Sequence, residues 1–145
     1  MHPVLRNILG VLAGLIIGSA VNMSIISLSA VIIPPPEGAD VSTMEGLQAA
    51  LPLFQPKHFI MPFLAHAIGT IVGAALAALI AGSRKMLMAY LVGVFFLIGG
   101  IANVLMLPAP FWFDCLDLLL AYFPMAWFGG RLVGGHKRKS NRLSA

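Results

Sequence analysis

Four strongly polar side chains stand inside otherwise apolar stretches of this chain: Asn22, His66, Asn103 and Asp117. Asp117 and His66 carry the most chemistry. Burial and a neighbouring imidazolium act on a carboxylate in opposite senses, so such a pair could carry a proton or exchange it for a cation. Asn22 and Asn103 would line that site, or hydrogen-bond between helices without further role, at about 0.6 kcal/mol per bond in a membrane.

Other groupings offer less. Asp114 and Asp117 are three residues apart and share one helical face. With His58 or Glu37 they could hold a hard or borderline cation, and Asp114, Glu37 and Asp40 form an expected outer acidic cluster. The two-histidine and glutamate–histidine helical spacings of metal sites are absent from the sequence. Haem bound by two histidines of one chain is not expected, since His66 alone lies well inside an apolar run. Cys115 has neither a Cys-x-x-Cys mate nor a basic neighbour in sequence and reads as a small apolar filler. No cofactor is implied. No nucleophile–base pair or metal triad can be assembled, so an enzyme is not expected.

The elements that must position these residues follow from composition. The 145 residues are 59% hydrophobic and 10% charged, with a mean hydropathy of +0.95. Soluble domains are about 25% charged. An ordinary soluble globule, a disordered chain and a nucleic-acid-binding module are thereby excluded, and the lipid bilayer becomes the expected partner. Crossing a hydrocarbon core of about 30 Å takes about 20 apolar residues in a helix. Uncharged or nearly uncharged runs at 8–33, 59–82, 86–107 and 111–133 meet that length. Unpaired backbone polar groups are too costly in lipid for any other open structure. The expected fold is therefore all-α: a four-span transmembrane helix bundle in a single domain, with a basic tail at 134–145. Gly18-Ser19-Ala20 resembles a signal-peptidase site. The apolar stretch continues to Ile33, beyond a secretory core of about 7–15 residues, and retention as a helix is expected.

Proline closes the runs. Pro34-Pro35-Pro36 stops the first helix, Pro108-Ala109-Pro110 separates the third from the fourth, and Pro124 should kink the fourth. Ser42-Thr43-Met44-Glu45 has the form of a capping box. Val41, Met44, Leu47 and Leu51 then share a face, which predicts a short amphipathic surface helix in the first outer loop.

Of the 9 Lys and Arg residues, all but Lys57 fall on the side that carries both termini: Arg6, Arg84, Lys85, Arg131, Lys137, Arg138, Lys139 and Arg142. By the positive-inside rule both termini are expected in the cytoplasm, with a bacterial inner (plasma) membrane as the simplest location. The 5 acids belong to the other side. Measured along each helix from its inner basic residue, Asn22, His66, Asn103 and Asp117 lie about 24, 27, 27 and 21 Å out. All four thus share one slab of the outer half. Asp117 has too short a stem to reach water across the remaining thickness, and its expected partners are His66 and Asn103.

Gly10, Gly14, Gly18 and Asn22 recur every fourth residue, as do Ala65, Gly69, Gly73, Ala77 and Ala81. Such stripes let helix backbones approach closely. They should pack the bundle, and they leave room for a homo-oligomer. In size and span count the chain is similar to the small multidrug transporters. Those carry an essential glutamate in the first helix, where this chain has Asn22, so the likeness covers architecture alone. Two readings of function follow. One is a non-catalytic membrane subunit or docking factor that binds another membrane protein. The other is a small proton- or cation-coupled transporter using Asp117 and His66.

Overall fold

The computed structural model describes residues 2–134. Six α-helices account for most of them: α1 (Pro3–Ile32), α2 (Met44–Ala50), α3 (Ile60–Ile80), α4 (Lys85–Met106), α5 (Phe111–Leu120) and α6 (Phe123–Gly134). Four helical stretches are long and apolar enough to cross a membrane: Pro3–Ile32, Pro56–Ile80, Lys85–Met106 and Phe111–Val133. The basic tail from His136 onward lies outside the described residues.

Two boundaries depart from the expected ones. α1 begins at Pro3, ahead of the uncharged run, because proline suits the first turn of a helix and the side chain of His2 accepts the Val4 N–H. The fourth span is two helices. Pro124 has no N–H to offer the carbonyl of Leu120, and the chain turns at Ala121–Tyr122 before α6 resumes.

α3 is the centre of the bundle. α1 runs along one side of it and α6 along another, and α4 touches all three. The glycine stripes set these distances. On α1 the buried residues are Gly10, Gly14 and Gly18. A Cβ on Gly10 would stand 2.9 Å from the carbonyl oxygen of Ala77, and one on Gly18 would stand 2.7 Å from that of Gly69. One on Gly14 would collide with the carbonyl oxygen of Gly73. The α1–α3 seam is thus backbone against backbone. α6 uses the same device: a Cβ on Gly129 would strike the carbonyl of Ile71 on α3, and one on Gly130 would stand 2.8 Å from Ala89 Cβ on α4. The fully buried core side chains are correspondingly small, among them Ala65, Ala74, Ala77, Ala78, Ala89, Val92 and Ala126.

The end bearing Arg6, Arg84, Lys85 and Arg131 is closed by a clasp. Arg6 Nε donates to the carbonyl of Ile80 at 3.0 Å, supplying a free carbonyl at the end of α3. Asn7 Oδ1 accepts the N–H groups of Gly82 (3.0 Å) and Ser83 (3.2 Å), and its Nδ2 donates to Ser83 Oγ at 3.0 Å. One carboxamide therefore organises the α3–α4 turn, in which Arg84 adopts a left-handed φ of 47°. Asn7→Ala is expected to cost about 0.5–1.5 kcal/mol, the net worth of hydrogen bonds whose N–H groups, on exposed Gly82 and Ser83, can turn to water instead. Equilibrium unfolding in mixed detergent micelles measures it.

The opposite end is capped by the first long loop. α2 forms where a helix was expected, but Thr43 is its N-cap: Thr43 Oγ1 accepts the Gly46 N–H at 3.0 Å. Ser42 instead gives its N–H and hydroxyl to Asp40 Oδ1, at 2.9 and 2.6 Å. These two bonds, the hydroxyl's foremost, hold the Asp40 carboxyl below its usual range. Their small contribution to the loop is complete above the ordinary aspartate range and is lost as pH falls through the lowered value. The inward residues of α2 also differ from the expected set. Leu47 and Leu51 pack with Phe59 and Phe113, whereas Val41 and Met44 are exposed. Gln48 Nε2 donates to the Met106 carbonyl at 2.7 Å, closing the end of α4.

Candidate functional site

α3 is apolar along its length except for His66 and Thr70, and both turn into the bundle. Thr70 is fully buried and returns its hydroxyl to the His66 carbonyl at 2.7 Å, satisfying itself within the helix. α5 buries Phe113 and Asp117, four residues apart on one face. Phe113 joins the apolar cluster under the loop cap, and this contact turns the carboxylate of Asp117 inward.

The two groups meet. His66 Nδ1 lies 2.9 Å from each oxygen of the Asp117 carboxylate. A third side chain completes the arrangement: the Tyr122 hydroxyl donates to Asp117 Oδ2 at 2.8 Å and lies 3.1 Å from His66 Nδ1. The Tyr122 ring stacks on the imidazole with centroids 5.8 Å apart. Asp117 is 3% exposed and Tyr122 2% exposed. A carboxylate in its ionised form only accepts, and in that form the shared proton sits on Nδ1. His66 Nε2 then carries a lone pair or a second proton. Among the described residues it has no partner, and it is not sealed from the molecular surface.

Tyr122 gave no signal of its own in the sequence. It lies five residues after Asp117, about 140° away around an unbroken helix. The turn at Ala121–Tyr122 brings the two together, so the usable signal is Pro124. α4 supplies the space. A Cβ on Gly100 would collide with the Tyr122 hydroxyl, so the phenol head fills the notch that this glycine leaves.

The remaining expected residues take other places. Asn103 does not line the site, and its side chain is exposed on α4. It stands three turns beyond Val92 on the same face. Val92 is covered by α1 and α3 at Gly14 and Gly73, whereas at Asn103 that face is open. Asn22 lies in the α1–α3 seam, its Cβ 3.0 Å from where a Cβ of Gly69 would be. Its Oδ1 is buried with no hydrogen-bond partner among the described residues. Such an orphan costs about 1–3 kcal/mol.

The outer acidic cluster does not assemble. Asp40 is occupied by Ser42, Glu37 is exposed in the loop and Asp114 is half-buried on α5. His58 is buried, and its Nδ1 accepts the Gln55 N–H at 2.8 Å. Among the described residues no three His, Cys, Asp or Glu side chains converge as a metal site would require. Cys115 is a half-buried free thiol.

The chain matches no protein-family model, no curated protein and no solved structure.

Proposed function

We infer that this membrane protein is a small proton-coupled transporter, and that His66, Asp117 and Tyr122 form its proton-binding site. One observation carries the reading: a carboxylate 3% exposed, inside a membrane-spanning stretch, paired with an imidazole from a different span. Intramembrane ionisable groups are expensive and mark proton relays and substrate paths. A buried carboxylate beside a neutral imidazole leaves one charge uncompensated. A single further proton removes it, and the pair takes up and gives back that proton as a unit. Tyr122 holds the carboxylate at the level of the imidazole in both states. The bundle is close-packed along its glycine seams, so a carried solute would pass between copies of the chain, and a homo-oligomer is part of the proposal. So is the orientation with both termini in the cytoplasm of a bacterial inner membrane, on the strength of the basic residues gathered at one end. The mechanism is non-enzymatic.

The test is proton flux into vesicles containing a trapped pH-sensitive dye and bathed in a mixture of small-molecule solutes, driven by a valinomycin-imposed potassium potential. Vesicles with the wild-type protein should acidify at least tenfold faster than protein-free vesicles. Asp117→Asn should fall to the protein-free rate while inserting to the same extent. Wild-type flux in that variant would overturn the reading.

The tight seams favour a second reading, in which the network is a packing clamp and the protein is a non-catalytic subunit that docks another membrane protein. The loop cap presents exposed Met44 and Leu53 at its rim. In that case Met44→Ser with Leu53→Ser abolishes co-elution of a partner membrane protein, measured by size-exclusion chromatography of mildly solubilised membranes. Elution of the wild-type protein alone would count against it.

A further inference from the structure

Two polar atoms in the outer half of α1 and α3 are unpartnered among the described residues. Asn22 Oδ1 is a buried acceptor without a donor, and His66 Nε2 is without a partner among the described residues. His66 stands two turns from Gly73 on the same face of α3, and Gly73 is where α1 makes backbone contact at Gly14. The α3 residue packed against Asn22 is Gly69; the imidazole leaves α3 three residues before it, about 60° around the helix, and its Nδ1 is taken by groups from α5 and the turn before α6. Asn22 is the polar residue of α1 at this level. Its Cβ is 3.0 Å from the position of a Gly69 Cβ, and Cβ atoms three residues apart on a helix are about 5–6 Å apart. Asn22 and His66 Cβ atoms are thus within about 9 Å, a span that the two side chains and one hydrogen bond of about 2.9 Å bridge.

We propose that Asn22 is the positioning residue for protonated His66: when the imidazole takes its second proton, Nε2–H donates to Asn22 Oδ1, and α1 thereby senses the state of the site. A neutral ring with its proton on Nδ1 has nothing to donate to α1, and in this structure Nε2 and Asn22 Oδ1 are not hydrogen-bonded. The imidazolium supplies the missing donor. The titratable groups facing the ring are Asp117 and Tyr122. α5 also carries Cys115 and Asp114, whose charge acts on Asp117. α1 carries only Arg6, α4 only Lys85 and Tyr90, and α6 Arg131, all toward the opposite end. Protonation would then fasten α1 to α3 above the glycine seam, and deprotonation would release it.

This inference rests on the proton-coupled reading, and one experiment separates the two. The full-length protein, labelled with ¹⁵N-histidine, is studied in lipid bilayers by NMR, with His66 assigned through its loss in His66→Gln. On acidification the wild-type ring should gain an Nε2 proton protected from solvent exchange. In Asn22→Ala that proton should exchange at least tenfold faster, while the Nδ1 proton held by Asp117 is unchanged. Asn22→Leu, which keeps the bulk, should behave as the alanine variant does, and loosened packing alone would expose both protons together. Unchanged Nε2 exchange in both variants overturns the role of Asn22 and leaves the proton site standing. A ring that never gains a second proton between pH 9 and 4 overturns the proton-coupled reading, and this inference with it.

Discussion

Asp117→Ala lowers the stability of the bundle by about 2–6 kcal/mol, because it leaves two hydrogen-bond donors unpaired at about 1–3 kcal/mol each. The loss falls on two groups at once. His66 Nδ1 and the Tyr122 hydroxyl both direct their hydrogen bonds at this carboxylate, and Tyr122 is too buried to find water instead. Asp117→Asn keeps an acceptor oxygen and should cost only about 1–2 kcal/mol. That difference is why the amide suits the flux measurement and the alanine suits the stability one. Unfolding of the purified protein in mixed micelles, followed by circular dichroism, reads both. If the alanine variant lay within 1 kcal/mol of the wild type, the network would not be what holds α5 to α3.

Gly14→Val is the second large effect. The added Cβ would meet the carbonyl oxygen of Gly73 and come within 3.1 Å of Ala77 Cβ and 3.2 Å of Val92 Cγ2. Overpacking a core costs about 1–3 kcal/mol when side chains can shift. Here the first obstacle is backbone on a rigid helix, so α1 must separate from α3 and the cost should reach or exceed the top of that range. α3, α4 and α6 should stay together, because their contacts run through Gly93, Gly100, Gly129 and Gly130. Gly99→Val is the control: a Cβ there meets nothing within 4 Å, and the variant should unfold with the wild type. The readout is cross-linking of cysteines placed at Asn7 and Ser83, whose side chains bond across the clasp. The yield should collapse in Gly14→Val and persist in Gly99→Val.

The positions of the spans were legible because lipid imposes one requirement, an apolar run of sufficient length, and four runs meet it. The meeting of His66 and Asp117 was legible for a related reason. Distance along a helix from a basic residue gives depth, and the two shared a depth. Depth says nothing about azimuth. Asn103 had the right level and the wrong side, since which faces of α4 are covered depends on where α1 ends its contact. Tyr122 failed the helical spacing that would have placed it beside Asp117, and only the break ahead of Pro124 repairs that. Asn7 was likewise hidden. A carboxamide near the start of a helix looks like any other until the α3–α4 turn folds onto it. The loop helix was legible as a helix, yet its buried side depended on Phe59 and Phe113, which are distant in sequence.

The helices of this bundle differ in length, and the bilayer must reconcile them. At 30 residues α1 is about 45 Å long, and at 22 residues α4 is about 33 Å. No single hydrocarbon thickness matches both. α1 cannot lean independently, because Gly10, Gly14 and Gly18 lock it to α3 along about two turns. The tilt that relieves hydrophobic mismatch is therefore shared by the α1–α3 pair, and membranes of different thickness would set that pair at different angles to α4.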